Sequence, residues 1–143
     1  WRTTGYVCFM ASMTTGRMFS DNLINYWGAR KQLILSGLLV TLGIVVAVSY
    51  PHLIVSSIGF MLVGFGASSV IPTIYGTVGR TTEPSKVSIA LASVSSVGFF
   101  GFLIGPPIIG FLSQAIGLRW AFLTISLLGI MTAIRAHQLK KYL

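Results

Sequence analysis

Gly16-Arg17-Met18-Phe19-Ser20-Asp21, then Asn22 to Trp27, then Gly28-Ala29-Arg30-Lys31, joins two long apolar runs. Glycine stands at each end of the stretch, an acid lies at the edge of the first run, and a basic pair precedes the second. A connector of this kind, set among uncharged segments, points to a polytopic membrane protein and to a gating element within it.

Composition leads the same way. Hydrophobic residues make up 54% of the 143 and charged residues only 8%, with a mean hydropathy of +0.85, so the chain needs lipid as its solvent. The net charge of +8 does not indicate nucleic acid, because the basic residues sit between apolar runs and do not gather along one face. The single cysteine, Cys8, lies inside an apolar run and reads as packing, and no metal-ligand spacing or cofactor motif is present. The opening Trp1-Arg2-Thr3 lacks the pattern of a signal peptide and reads as the interior of a longer protein.

A spanning helix needs about 20 mostly apolar residues to cross roughly 30 Å of hydrocarbon. Five segments approach or meet that length: about 5–20, 33–50, 53–78, 87–115 and 120–134. Their long continuous runs favour helices over the short alternating strands of a barrel. The expected fold class is therefore all-α, a polytopic membrane helix bundle.

Lys and Arg in short loops set orientation. Arg17, Arg30, Lys31, Arg80, Lys86, Arg135, Lys140 and Lys141 fall on one side, Arg2 and Arg119 on the other. The crowded side is expected to be cytoplasmic, in the plasma (inner) membrane, and it includes the C-terminus. The second and fifth segments are the greasier and are expected to form lipid-facing walls. The first, third and fourth carry more hydroxyls and glycines, suited either to lining a cavity or to close helix packing.

The fourth segment contains Gly101-Phe102-Leu103-Ile104-Gly105-Pro106-Pro107-Ile108-Ile109-Gly110. Gly101 and Gly105 form a GxxxG pair, and Pro106 and Pro107 deprive the carbonyls of Phe102 and Leu103 of their usual donors. A kink is expected there, read as a hinge or as a static fit to neighbouring helices. Pro72 similarly frees the carbonyl of Ser68.

These motifs resemble the major facilitator superfamily of secondary transporters. The stretch from Gly16 to Lys31 looks like the family's cytoplasmic signature loop between its eighth and ninth helices. Gly101 to Gly110 looks like the glycine-proline pattern of its eleventh helix, and Gly64-Phe65-Gly66-Ala67-Ser68-Ser69-Val70-Ile71-Pro72-Thr73 resembles the tenth helix of the fucose-permease-like branch. The resemblance covers essentially the whole chain. It implies helices eight to twelve of a twelve-helix protein, an incomplete six-helix half that works against an absent N-terminal half. The eighth, tenth and eleventh helices of the family border its central cavity.

Aligning the signature on Gly28, Arg30 and Lys31 puts Asn25 where the acid belongs, Tyr26 at the first basic position and Asp21 at the first glycine. Asp21 lies four residues before Asn25, one turn away if that segment is helical, and can take over the acidic role. It would latch the cytoplasmic side by meeting a helix N-terminus in the other half or the guanidinium of Arg30. The cytoplasmic gate motif is thus Gly16, Arg17, Asp21, Asn25, Gly28, Arg30 and Lys31, unless these residues only anchor topology.

Depth in the membrane suggests substrate contacts at Tyr6 and Met10, at Gly64 and Ser68, and at Ser95 and Phe99, each pair sharing a helix face; apolar packing is the competing reading for Met10 and Phe99. No ionisable residue falls mid-span, so this part suits a neutral sugar-like or drug-like solute. The function expected is secondary active transport of a small solute by alternating access. Two other classes compete. An intramembrane serine hydrolase built on Gly66-Ala67-Ser68 lacks a base, since His52 and His137 lie in a loop and the tail. A channel or structural subunit would need a filter sequence or a ring of charge, and the chain has neither.

Overall fold

The computed structural model describes residues 3–49 and 52–138, apart from the side chains of Asp21, Leu23 and Asn25. Five helices follow one another: α1 Thr4–Ser49, α2 Leu53–Ser68, α3 Val70–Thr81, α4 Val87–Ile116 and α5 Leu118–Gln138. Of the stretch from Gly16 to Lys31 only one residue leaves helical geometry. Gly28 has φ 77° and ψ 154°, and it divides α1 into two arms, residues 4–27 and 29–49. The expected loop is therefore two helix ends meeting at one glycine, because nothing between Gly16 and Trp27 breaks a helix. Asp21 and Asn25 thus stand one turn apart on continuous helix, while their side chains lie outside the described part.

Among the described residues, four stretches are long and apolar enough to cross a membrane: Tyr26–Ser49, Leu53–Thr81, Val87–Ile116 and Leu118–Gln138. The first arm of α1, residues 4–27, is helical as well.

Contacts give the topology. Ser12 donates to the carbonyl of Met61 at 2.8 Å, and further along both helices Gly16 faces Ser68, so the first arm runs parallel to α2. The second arm runs antiparallel to it, with Gly43 against Gly59 and Ser36 hydrogen-bonded to Ser69 at 2.8 Å. The same arm runs antiparallel to α5, where Gly37 meets Gly129 and Ala133, and Thr41 donates to the carbonyl of Ser126 at 3.2 Å. The second arm therefore sits between α2 and α5. Ser36, Gly37 and Gly43 are small enough to bring two neighbours in, and a stripe through Leu38, Leu42 and Val45 stays exposed.

What is buried is small and often polar. Thr73, Ser20, Ser36 and Ser68 are the largest fully buried side chains, whereas most large apolar residues point outward. That inversion is what a bilayer permits. Between helices in lipid there is no hydrophobic gain from hiding Leu or Phe, so close approach of small residues and interhelical hydrogen bonds supply the cohesion.

The third expected segment is interrupted at Ser69, between α2 and α3. Pro72 has no N–H to give the carbonyl of Ser68, so the ladder lapses one turn earlier, and Thr73 N–H to the carbonyl of Ser69 restarts it at 3.1 Å. By contrast, α4 continues as one helix through Pro106 and Pro107. A Cβ built on Gly98, Gly101, Gly105 or Gly110 would meet nothing within 4 Å, so no described helix packs on the GxxxG face.

Candidate functional site

Between α3 and α4 lies a cavity of about 690 Å³ whose walls include Ile71, Ile74, Tyr75, Ser95, Phe99 and Phe102. Its lining is largely apolar and aromatic, with a few hydroxyls, the composition of a small-molecule site. Ser95 donates to the carbonyl of Leu91 at 2.8 Å, which uses its one proton. The Tyr75 hydroxyl, 2.9 Å away, therefore donates to Ser95 Oγ. This bridge joins the two walls. It also leaves both oxygens with acceptor capacity toward a solute.

Of the residues proposed from depth, Ser95 and Phe99 line this cavity. Tyr6 and Met10 line a separate groove of about 530 Å³ along the first arm of α1, with Thr14, Thr15 and Met18. Gly64 and Ser68 line neither. Gly64 packs on Ser12 and Phe9, and Ser68 is 2% exposed, donates to the carbonyl of Phe65 at 2.6 Å and touches Gly16. The structure therefore places these two in the seam between α1 and α2. Tyr75 escaped notice in the sequence because its partner is twenty residues away across a turn. Its position one helical turn after Ile71, on the same face, was the available signal.

At the basic end of the bundle the Gly28 turn sets Arg30 against α5. Arg30 Nη2 donates to the carbonyl of His137 at 2.9 Å. Arg30 thus fastens the start of the second arm to the end of α5. Glu83 pairs with Lys86 at 3.0 Å within the α3–α4 connection, an exposed pair of small energetic weight.

Helices crossing back and forth through single-glycine or short turns, with small residues in their seams and an apolar cavity between two of them, define a polytopic helical membrane protein. The chain belongs to the Major Facilitator Superfamily, which it matches over residues 3–139. It is 38% identical to an uncharacterized MFS-type transporter of Yersinia pestis over 133 residues, 93% of this chain and 34% of that protein. To the membrane protein MosC of Rhizobium meliloti it is 36% identical over 129 residues, 90% of this chain and 31% of that one. Multidrug resistance protein 2 of Bacillus subtilis is 26% identical over 134 residues, 92% of this chain and 33% of the relative. The chain therefore spans about a third of the length of the curated relatives it matches. No solved structure matches it.

Proposed function

We propose that the chain is the greater part of the C-terminal half, helices eight to twelve, of a secondary active transporter that moves a small solute by alternating access. The observation that carries this reading is the α3–α4 cavity with its Tyr75–Ser95 bridge. In the family arrangement these helices are the tenth and eleventh, which border the central pathway. An apolar, aromatic wall with a few hydroxyls suits an uncharged or amphipathic solute better than a strongly ionic one. The names of relatives such as multidrug resistance protein 2 favour a drug-like molecule within that class. The likeness of Gly64 to Thr73 to the fucose-permease-like branch keeps a sugar-like solute as the second reading. The fully buried setting of Ser68 gives a hydrolase no accessible nucleophile there.

In the full-length transporter, Ser95→Trp is expected to fill the cavity and cut transport at least about tenfold, the weight of a lost substrate contact or blocked site. Leu127→Trp, on an exposed face of α5, serves as the control. Equal transport by the wild type and Ser95→Trp, both folded, would refute the assignment of this cavity.

The basic end, with the Gly28 turn, Lys86 and the C-terminus, is assigned to the cytoplasm of the plasma membrane. Arg30 spends one Nη2 donor on His137 and its Nε has no partner among the described residues, so a latch worked by Asp21 acts on the guanidinium of Arg30 or on a helix end in the N-terminal half. Asp21→Asn should therefore leave more of the population open on the cytoplasmic side. The check is cysteine-accessibility labelling of that side in the full-length protein, and unchanged labelling would reduce the motif to a topological anchor.

A further inference from the structure

At the opposite end of the bundle, a second cavity of about 380 Å³ lies between the second arm of α1, α2 and α5. Ile44, Ala47 and Val48 form one wall, and Phe60 and Phe122 another, with Arg119 the one charge in the lining. The edge-to-face pair of Phe60 and Phe122, 6.3 Å between centroids, closes it on one side. Its origin is a change of residue size along α5. Ser126, Gly129 and Ala133 let α5 close on α1 toward the basic end, whereas Leu118 and Phe122 hold the helices apart here.

Arg119 is exposed at the mouth of this cavity and has no counter-charge among the described residues. The chain contains two acids, and both belong to the other end: Asp21 precedes the Gly28 turn by seven residues, and Glu83 is paired with Lys86. A twin of this turn, at the other end of the bundle, offers a comparison. Gly117, at φ 84° and ψ 153°, repeats the backbone of Gly28, and each glycine is followed two residues later by arginine. Arg30 donates to the carbonyl of His137, whereas Arg119 has no hydrogen bond or ion pair among the described residues. Arg119 also lies in the first turn of α5, where the helix dipole disfavours a cation and no acid is present.

We propose that this cavity holds a bilayer phospholipid, with an acyl chain among Ile44, Val48, Phe60 and Phe122 and the phosphate on Arg119. A small anion would leave the apolar cavity empty, and a neutral hydrocarbon would leave the guanidinium unpaired. An amphiphile with a phosphate head answers both, and guanidinium matches phosphate geometry through paired donors. Trp120, 63% exposed beside Arg119, sets this level at the headgroup interface where tryptophan concentrates. The cavity volume falls within the range of small-molecule sites.

The test uses the full-length transporter that contains this chain, purified in mild detergent and titrated with palmitoyl-oleoyl phosphatidylglycerol under native mass spectrometry. The wild type is expected to retain one lipid. Arg119→Ala should weaken retention about tenfold, the effect of losing a charge-assisted contact. Val48→Phe should weaken it comparably by filling the cavity. Melting curves identify folded variants, and Leu118→Trp replaces Val48→Phe if the latter does not fold. Glycerol 3-phosphate alone should not displace the lipid. Undiminished retention in both variants would overturn the proposal, as it would if Arg119 is paired or the cavity covered by another part of the protein. Displacement by glycerol 3-phosphate would overturn it in favour of a free-anion site. These outcomes are independent of transport.

Discussion

Gly59→Ala should destabilise the bundle by about 1–3 kcal/mol, the cost of overpacking a close interface. A Cβ at this position would lie 2.5 Å from the backbone nitrogen of Ala47 and 2.6 Å from the carbonyl oxygen of Gly43. Both are main-chain atoms of a helix. No rotamer change can move them aside, so α1 and α2 must separate along their length. The separation would also loosen the neighbouring bond from Ser56 to the carbonyl of Ala47, now 3.1 Å. Gly79→Ala is the matched control, since a Cβ there meets nothing within 4 Å. It should be neutral or stabilising by up to about 1 kcal/mol through helix propensity. Thermal unfolding of both variants in detergent decides the matter. Equal melting temperatures would mean that the tight α1–α2 seam does not hold the fold together.

Gly28→Val should be comparably severe for a different reason. With φ 77° and ψ 154°, Gly28 occupies backbone space that residues with a Cβ reach only at a cost of about 1–3 kcal/mol, and a β-branched one least readily. There is open room for the side chain, so the penalty is conformational and not steric contact with neighbours. The chain can relieve it by continuing helical, which would straighten α1 and pull its second arm from α5. Arg30 would then lose its hold on the end of α5. Hydrogen exchange should report this as loss of protection in the last turn of α5 together with a lower melting temperature. Wild-type exchange in that turn would show that the Gly28 turn does not position Arg30.

Much of the architecture was legible in the order of residues. Long uncharged runs forced helices, because backbone groups in lipid must be satisfied within a segment. Pro72 signalled the lapse at Ser69, because a missing N–H has a fixed address four residues upstream. The signature from Gly16 to Lys31 identified the family correctly while being misjudged as a loop, since its polar residues suggested a connector although only Gly28 interrupts the helix. The packed seam along the second arm was not legible for a related reason. Hydropathy sums over all faces of a helix, and the seam formed by Ser36, Gly37 and Gly43 occupies only part of one.

The candidate site was legible by halves. Ser95 and Phe99, named from depth, line the α3–α4 cavity, whereas Ser68, at a similar depth, is buried against Gly16, and Tyr75 emerged only through its bond to Ser95. The sequence by itself determined that this is an all-helical, multi-pass membrane protein of the Major Facilitator Superfamily, because spans and signature motifs are local properties of the chain. Which faces meet, which hydroxyls are packing and which line a cavity, and that Arg30 reaches the carbonyl of His137 while Arg119 reaches no partner among the described residues, were decided by tertiary structure. Those outcomes depend on small residues far apart in sequence arriving opposite one another, and no local pattern encodes that register.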